Sequence, residues 1–215
     1  MKNRERTDFN KHLASIWKRP LKADTELIAI DPGDKYTGVA FFATNDDGEW
    51  YCQDAQEFDP QEFEDALAEL ILTPAPEPPP IIVFEIFRLY GDKAQLQTGS
   101  EFLTSQTIGV IKYLVRVHNE HAARHARAEE TGGLMSCEQP GGRCHDPALA
   151  PQEITLVRQR ADDKKPAKGI CNKKKIKSVA RPIAKAEYGN RDHIVDAELH
   201  GWFYILKTLE GKAAK

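Results

Sequence analysis

The sequence predicts an α/β fold, a mixed five-stranded sheet flanked by helices. Strand-like and helix-like stretches follow one another as β-β-β-α-β-α-β-α, the first three strands joined by tight turns and the rest alternating with helices. Two apolar, β-branched runs, Leu27–Ile30 and Ile81–Phe84, have the composition of buried strands, and each leads straight into a carboxylate, Asp31 or Glu85. The chain has 215 residues, an ordinary size for one domain with a proper core.

The elements can be justified in order. Residues 1–25 read as a basic arm, with Leu13, Ile16 and Trp17 forming a small apolar stripe suited to docking on the body. Residues 26–210 read as the domain, with a loop insertion over 128–151, and 211–215 as a short tail. Leu27–Ile30 enters the turn pair Pro32-Gly33, and a second strand follows over Val39–Phe42. Asn45-Asp46-Asp47-Gly48 is a turn, and Glu49–Cys52 starts a third, antiparallel strand. Asp59 as N-cap, Pro60 at the first helical position and Glu62 open a helix whose apolar face is Phe63, Ala66, Leu67, Leu70 and Ile71. The run Thr73–Pro80 ends it as a stiff connector. After the strand Ile81–Glu85, a long helix is expected from about Ser100 to His125, and a last strand over Glu153–Val157. A short helix over Lys175–Lys185 and a closing helix over about Asn190–Leu209 complete the series.

Charge is segregated along the chain. Asp46 to Glu77 holds eleven Asp/Glu and no Lys or Arg; Arg158 to Lys185 holds eleven Lys/Arg against Asp162 and Asp163. A solvated charge run explains either block, but a cluster such as Lys173, Lys174, Lys175 and Lys177 is also what a polyanion such as nucleic acid requires. No apolar run reaches the 18 or so residues of a membrane span. The basic N-terminus lacks a signal-peptide core, and the four cysteines form no disulfide framework, so the expected location is the reduced cytoplasm. Cys137, Cys144, His145 and Cys171 fit no common zinc spacing, and His118, His121 and His125 share a helix face as solvent or phosphate contacts.

Chemistry concentrates in three acids. A carboxylate at the mouth of a hydrophobic strand costs free energy unless a positive group meets it, although Asp31 could instead cap its turn. If the first and fourth strands are neighbours, Asp31 and Glu85 lie side by side and repel unless a cation sits between them. Asp196 lies on the closing helix, where Asp192 (i+4) or His193 (i+3) presents a second ligand on the same face. Oxygen ligands with at most one imidazole favour Mg²⁺, with Mn²⁺ as substitute. Two such ions roughly 4 Å apart clamp the attacking and leaving oxygens of a phosphodiester.

The motifs IAIDPGDKYTGVAFF, IIVFEIF followed by SQTIGVIKYL, and HIVDAELHGWFYIL resemble those of the RuvC-type Holliday-junction resolvases, within the ribonuclease H-like superfamily. The matches fall in family order and cover about a third of the chain directly. The resemblance implies a ribonuclease H-like sheet with Asp31, Glu85 and Asp196 as catalytic metal-binding carboxylates. His193 stands where relatives carry Asp or His and is implied as a ligand or proton handler, with adjacent Asp192 as a substitute. It also implies hydrolysis of a four-way DNA junction to 5′-phosphate and 3′-hydroxyl ends by a homodimer, whose face lies around Gln106–Leu114. An aromatic beside the catalytic glutamate, Phe87 or Tyr90, would pry at the junction centre, and Lys173, Lys174, Lys175 and Lys177 would contact phosphates. The arm, the proline connector and the insertion depart from the bacterial pattern and suit a phage-encoded relative. Rival readings remain: a nuclease for flaps or RNA–DNA hybrids, and a catalytically silent junction-binding module. An actin-like ATPase would need a second duplicated domain, for which the chain is too short.

Overall fold

The computed structural model describes residues 24–72, 80–86, 103–131 and 152–209. Strands β1 (Leu27–Asp31), β2 (Thr37–Thr44), β3 (Trp50–Phe58), β4 (Ile81–Ile86) and β5 (Leu156–Arg160) form one sheet in the order β3-β2-β1-β4-β5. The β1–β2 and β2–β3 pairs are antiparallel, whereas β4 joins β1 and β5 joins β4 in parallel. The helices are α1 (Pro60–Leu72), α2 (Leu103–Thr131), α3 (Lys164–Lys174), α4 (Ala180–Glu187) and α5 (His193–Tyr204), the last running on as a π turn over Ile205–Leu209. A mixed five-stranded sheet flanked by helices is what both the element order and the resemblance implied.

Strand alternation divides the core in two. Ile28, Ile30, Val39, Phe41, Ile82 and Phe84 face one way and pack with Phe63, Leu67 and Ile71 of α1 and Ile111 and Val115 of α2. Leu27, Ala29, Ala40, Phe42 and Val83 face the other way, against Cys171 of α3, Ala180 and Ala184 of α4, and Ile194, Ala197 and Trp202 of α5. Phe42 meets Trp202 edge-on at 5.4 Å between ring centres, a contact worth about 1 kcal/mol beyond its burial. The start of α1 is as expected: Asp59 Oδ1 accepts the Glu62 N–H at 2.9 Å and the Glu62 carboxylate accepts the Asp59 N–H at 3.4 Å.

Gly38 sets how closely α5 lies on the sheet. A Cβ there would sit 2.2 Å from the backbone C and O of His193. Gly38→Ala is therefore expected to destabilise the fold by about 3 kcal/mol, seen as a lower urea midpoint. An unchanged midpoint would mean that the α5–β2 contact is not tight.

Several boundaries differ from expectation. The last strand begins at Leu156 and not at Glu153, because Ile154 is tied down by a side chain instead of the ladder: Asn119 Nδ2 donates to the Ile154 carbonyl at 3.0 Å, and the Ile154 N–H donates to Asn119 Oδ1 at 2.8 Å. The basic stretch carries two helices, α3 and α4, where one over Lys175–Lys185 was expected. The long helix spans Leu103–Thr131 among the described residues and runs past the expected end at His125, and the closing helix starts at His193 instead of Asn190. The histidines of α2 are only partly open to solvent. His118 bonds the Ile71 carbonyl through Nδ1 (2.9 Å) and the Gln152 carbonyl through Nε2 (2.8 Å), and His125 is buried beside His121. The expected N-terminal stripe, the proline connector over 73–79, Cys137, Cys144 and His145 lie outside the described residues.

Candidate active site

The sheet register lines up a polar row on the face that α5 covers. Glu57 of β3 pairs with Gly38 of β2, Gly38 with Asp31 of β1, and Glu85 of β4 with Gln159 of β5. Ile30 pairs with Phe84, so Asp31 and Glu85 are the next positions on adjacent parallel strands. On β1, β3, β4 and β5 the apolar alternation thus gives way to a polar residue at one level, with Gly38 between on β2, at the carboxyl ends of the parallel strands, where open α/β sheets place ligands.

The helices supply partners for that row. His193, the first residue of α5, has Nδ1 2.9 Å from Asp31 Oδ2. One turn on, Asp196 forms a close ion pair with the Lys164 ammonium at the start of α3, and Lys164 also reaches Glu85 Oε2 at 3.5 Å. A further turn along α5, His200 Nε2 lies 2.8 Å from Glu85 Oε2 and its Nδ1 lies 2.8 Å from Gln159 Oε1. Ligand atoms of Asp31, Glu85 and His200 fall within 4.8 Å of one another. A Cβ on Gly33 would lie 2.4 Å from the Tyr36 backbone oxygen and 2.8 Å from His193 Cε1, which explains the glycine after Pro32.

Burial and crowding tune these groups. Burial is the main cause that pushes the Asp31 carboxyl above its usual range; Glu85 and Asp196 add to it, and the His193 contact and Lys164 oppose it. Burial acts in the same sense on Glu85, but the bonds from His200 and the Lys164 charge outweigh it and hold that carboxyl below its ordinary value. For His193 the hydrogen bond to Asp31 outweighs burial and raises the imidazole. Burial works against the Lys164 charge, yet its bond to Asp196 and the neighbouring carboxylates keep the ammonium above its usual range. Three carboxylates and one ammonium leave an acidic excess, which a divalent cation would balance. The donor set of carboxylate oxygens with imidazole at the margin fits a magnesium- or manganese-type ion.

The structure therefore gathers Asp31, Glu85, His193 and Asp196 at one edge. Asp192 is exposed at the N-cap of α5 and makes no cap bond with its side chain. Asp34, the other acid of that turn, reaches the start of α2, where its Oδ1 accepts the Thr104 N–H at 3.1 Å and the Thr104 hydroxyl. Lys173, Lys174, Lys175 and Lys177 are exposed at and just beyond the end of α3, the helix that carries Lys164 at its start. Phe87 and Tyr90 lie outside the described residues. Three contributors are not visible from the sequence pattern. Lys164 is hidden in a basic run, Gln159 lies beyond the expected strand, and His200 reads as part of an apolar helix, although it stands four residues after Asp196 on the same face.

A second ion pair braces the site. Arg191 Nη2 lies 2.6 Å from the buried Glu57 Oε1, and its guanidinium stacks 3.8 Å over the Tyr36 ring. Arg191→Met removes the cation that meets this buried carboxylate, and is expected to cost about 3 kcal/mol in chemical denaturation. Adding Glu57→Gln should recover much of that loss, and no recovery would assign the cost to the stacked ring instead.

No family profile matches the chain, and no curated protein matches it significantly. Among solved structures it is similar to Thermus thermophilus RuvC (14% identity, 86% of this chain and 96% of that one, TM-score 0.45). It is also similar to fowlpox virus resolvase in complex with substrate Holliday junction DNA (12% identity, 85% and 98%, TM-score 0.44). A third is the yeast mitochondrial Holliday junction resolvase (13% identity, 94% and 89%, TM-score 0.43). Among the described residues no helix is long and apolar enough to cross a membrane.

Proposed function

We propose that this chain is a metal-dependent endonuclease that resolves four-way DNA junctions, acting as a homodimer that makes paired symmetric nicks leaving 5′-phosphate and 3′-hydroxyl ends. The observation that carries the reading is the convergence of Asp31, Glu85 and Asp196, from three distant parts of the sequence, at one edge of the sheet. These are the three acids of the RuvC-like motifs. Structural ion pairing alone is a poor reason to crowd three carboxylates around one lysine.

Asp31, Glu85 and Asp196 would hold the metal, Mg²⁺ by choice with Mn²⁺ as substitute. A bound divalent ion supplies charge stabilisation for the phosphodiester and acidifies its water. His193, tethered through Nδ1 to Asp31 and a third exposed (36%), is placed at the rim to take or give a proton at Nε2. Lys164 keeps Glu85 and Asp196 together against their mutual repulsion. From Lys164 to Lys174, ten residues of helix extend about 15 Å. The exposed lysines there would receive backbone phosphates on DNA whose scissile bond sits at the carboxylates. Such contacts fix position and not sequence.

The test is cleavage of end-labelled four-way junction, flap, duplex and RNA–DNA hybrid in Mg²⁺ at low salt. Paired nicks at symmetric positions of the junction are expected. Preferential cutting of flap or hybrid would move the substrate, and junction binding with no cutting in Mg²⁺, or in Mn²⁺ put in its place, would leave a recognition module.

A further inference from the structure

We infer that His200 is a metal ligand of this site through Nε2, and that Gln159 is the positioning residue that holds it in the ligating tautomer. The inference rests on the metal-nuclease reading above and adds residues which that reading does not contain.

Donors and acceptors fix the tautomer of the ring. The Gln159 side-chain amide donates through Nε2 to the His200 backbone carbonyl at 3.1 Å. That bond fixes which way round the amide lies, because a carbonyl accepts only from the NH₂ end. Its Oε1 then faces His200 Nδ1 at 2.8 Å, and an amide oxygen only accepts, so Nδ1 carries a ring proton. Nε2 then points at Glu85 Oε2, 2.8 Å away, and without a metal a proton on Nε2 bridges the two. A divalent cation would take the place of that proton, leaving the Nε2 lone pair as its donor. The acidic site places one there, since Asp31, Glu85 and His200 offer ligand atoms within 4.8 Å of one another.

The surroundings fit a ligand better than a filler. Both partners are buried, His200 at 0% exposure and Gln159 at 4%, in a layer otherwise built from Val83, Val157 and Trp202. A metal-bound imidazole characteristically donates its other N–H to an oxygen acceptor that sets tautomer and ring orientation, which is the part Gln159 plays here. The two ends of the pair come from β5 and α5, so the sheet register and the α5 docking already described aim the ring. Between Asp196 and His200 runs one helical turn, which puts a carboxylate and an imidazole on the same side of α5, facing Glu85.

The experiment reads the metal's own signal. Substoichiometric Mn²⁺ is added to wild type, His200→Gln and His193→Gln, each checked for folding by thermal melting. Pulsed electron paramagnetic resonance then records imidazole nitrogen coupling, and calorimetry records Mn²⁺ affinity. The expected result is nitrogen coupling in wild type and His193→Gln that is absent in His200→Gln, with at least about a tenfold loss of affinity. Gln159→Met keeps the imidazole but removes its anchor, and should weaken Mn²⁺ binding about tenfold with coupling retained; it also carries the test should His200→Gln fail to fold. Coupling undiminished in His200→Gln, or unchanged affinity in Gln159→Met, overturns the inference and leaves the nuclease reading standing. No Mn²⁺ binding by wild type overturns both.

Discussion

Asp31→Asn is expected to lower junction cleavage about 10³-fold or more, equivalent to about 4 kcal/mol of lost transition-state stabilisation. The amide keeps the side-chain shape and can still accept the His193 Nδ1 proton, so the loss belongs to charge and not to collapse of the site. The same variant should be more stable than wild type in metal-free buffer near neutral pH. Burial and the neighbouring Glu85 and Asp196 push the Asp31 carboxyl up in the folded chain, so the ionised form opposes folding. This penalty is complete at pH values above the folded-state pKa and vanishes below the unfolded one, and the advantage of asparagine should shrink as pH falls through that window. About 1 kcal/mol of relief would raise the melting temperature by about 2–4 °C for a chain of this size. Mg²⁺ should then stabilise wild type more than the variant. Wild-type cutting by Asp31→Asn would remove this residue from the centre, and a lower melting temperature would refute the crowded-charge account.

Replacing Lys173, Lys174, Lys175 and Lys177 together by glutamine is expected to weaken junction binding about 10²-fold at moderate salt. The slope of log affinity against log salt should flatten by about 0.9 for each phosphate that no longer meets a lysine. The turnover of saturated enzyme should hardly change, because these lysines lie a helix length from the carboxylates. Lys175 offers a sharper version. It caps α3 in the left-handed conformation (φ 58°), a position that favours glycine. A lysine kept there at a cost of about 1 kcal/mol is explained by its charge. Lys175→Gly should accordingly stabilise the fold while weakening binding, a split measurable by melting and by fluorescence anisotropy on labelled junction. Unchanged affinity and salt slope in the quadruple variant would place the DNA surface elsewhere.

The parts legible in the sequence were those where local chemistry and global packing agree. β1, β2 and the capped start of α1 declared themselves through apolar alternation, a Pro-Gly turn and the Asp59–Glu62 box. Asp31, Glu85 and Asp196 were legible because a carboxylate interrupts an otherwise buried element. The rest depended on tertiary partners. Helix α3, KKPAKGICNKK, has Pro, Gly and few apolar residues; it is helical because it buries Ala167 and, one turn on, Cys171, which packs into the α5 side of the core. Asn119 takes Ile154 out of the ladder, so the apolar run before β5 misplaced the strand and hid Gln159. His200 looked like one polar residue on a buried helix, and only its two bonded nitrogens give it a role.

The polar row across the sheet has a further consequence for how the molecule comes alive. Its members lie at positions 31, 57, 85 and 159, and they do not all line up and meet their α5 partner His200 until the five strands are in register and α5 has docked. Such contacts between remote segments form late in folding. A chain that is half folded, nicked or stalled on the way therefore leaves the site unassembled. On the proposed reading, the capacity to cut DNA switches on together with the finished architecture, and an incomplete copy is harmless to the genome it shares a cell with.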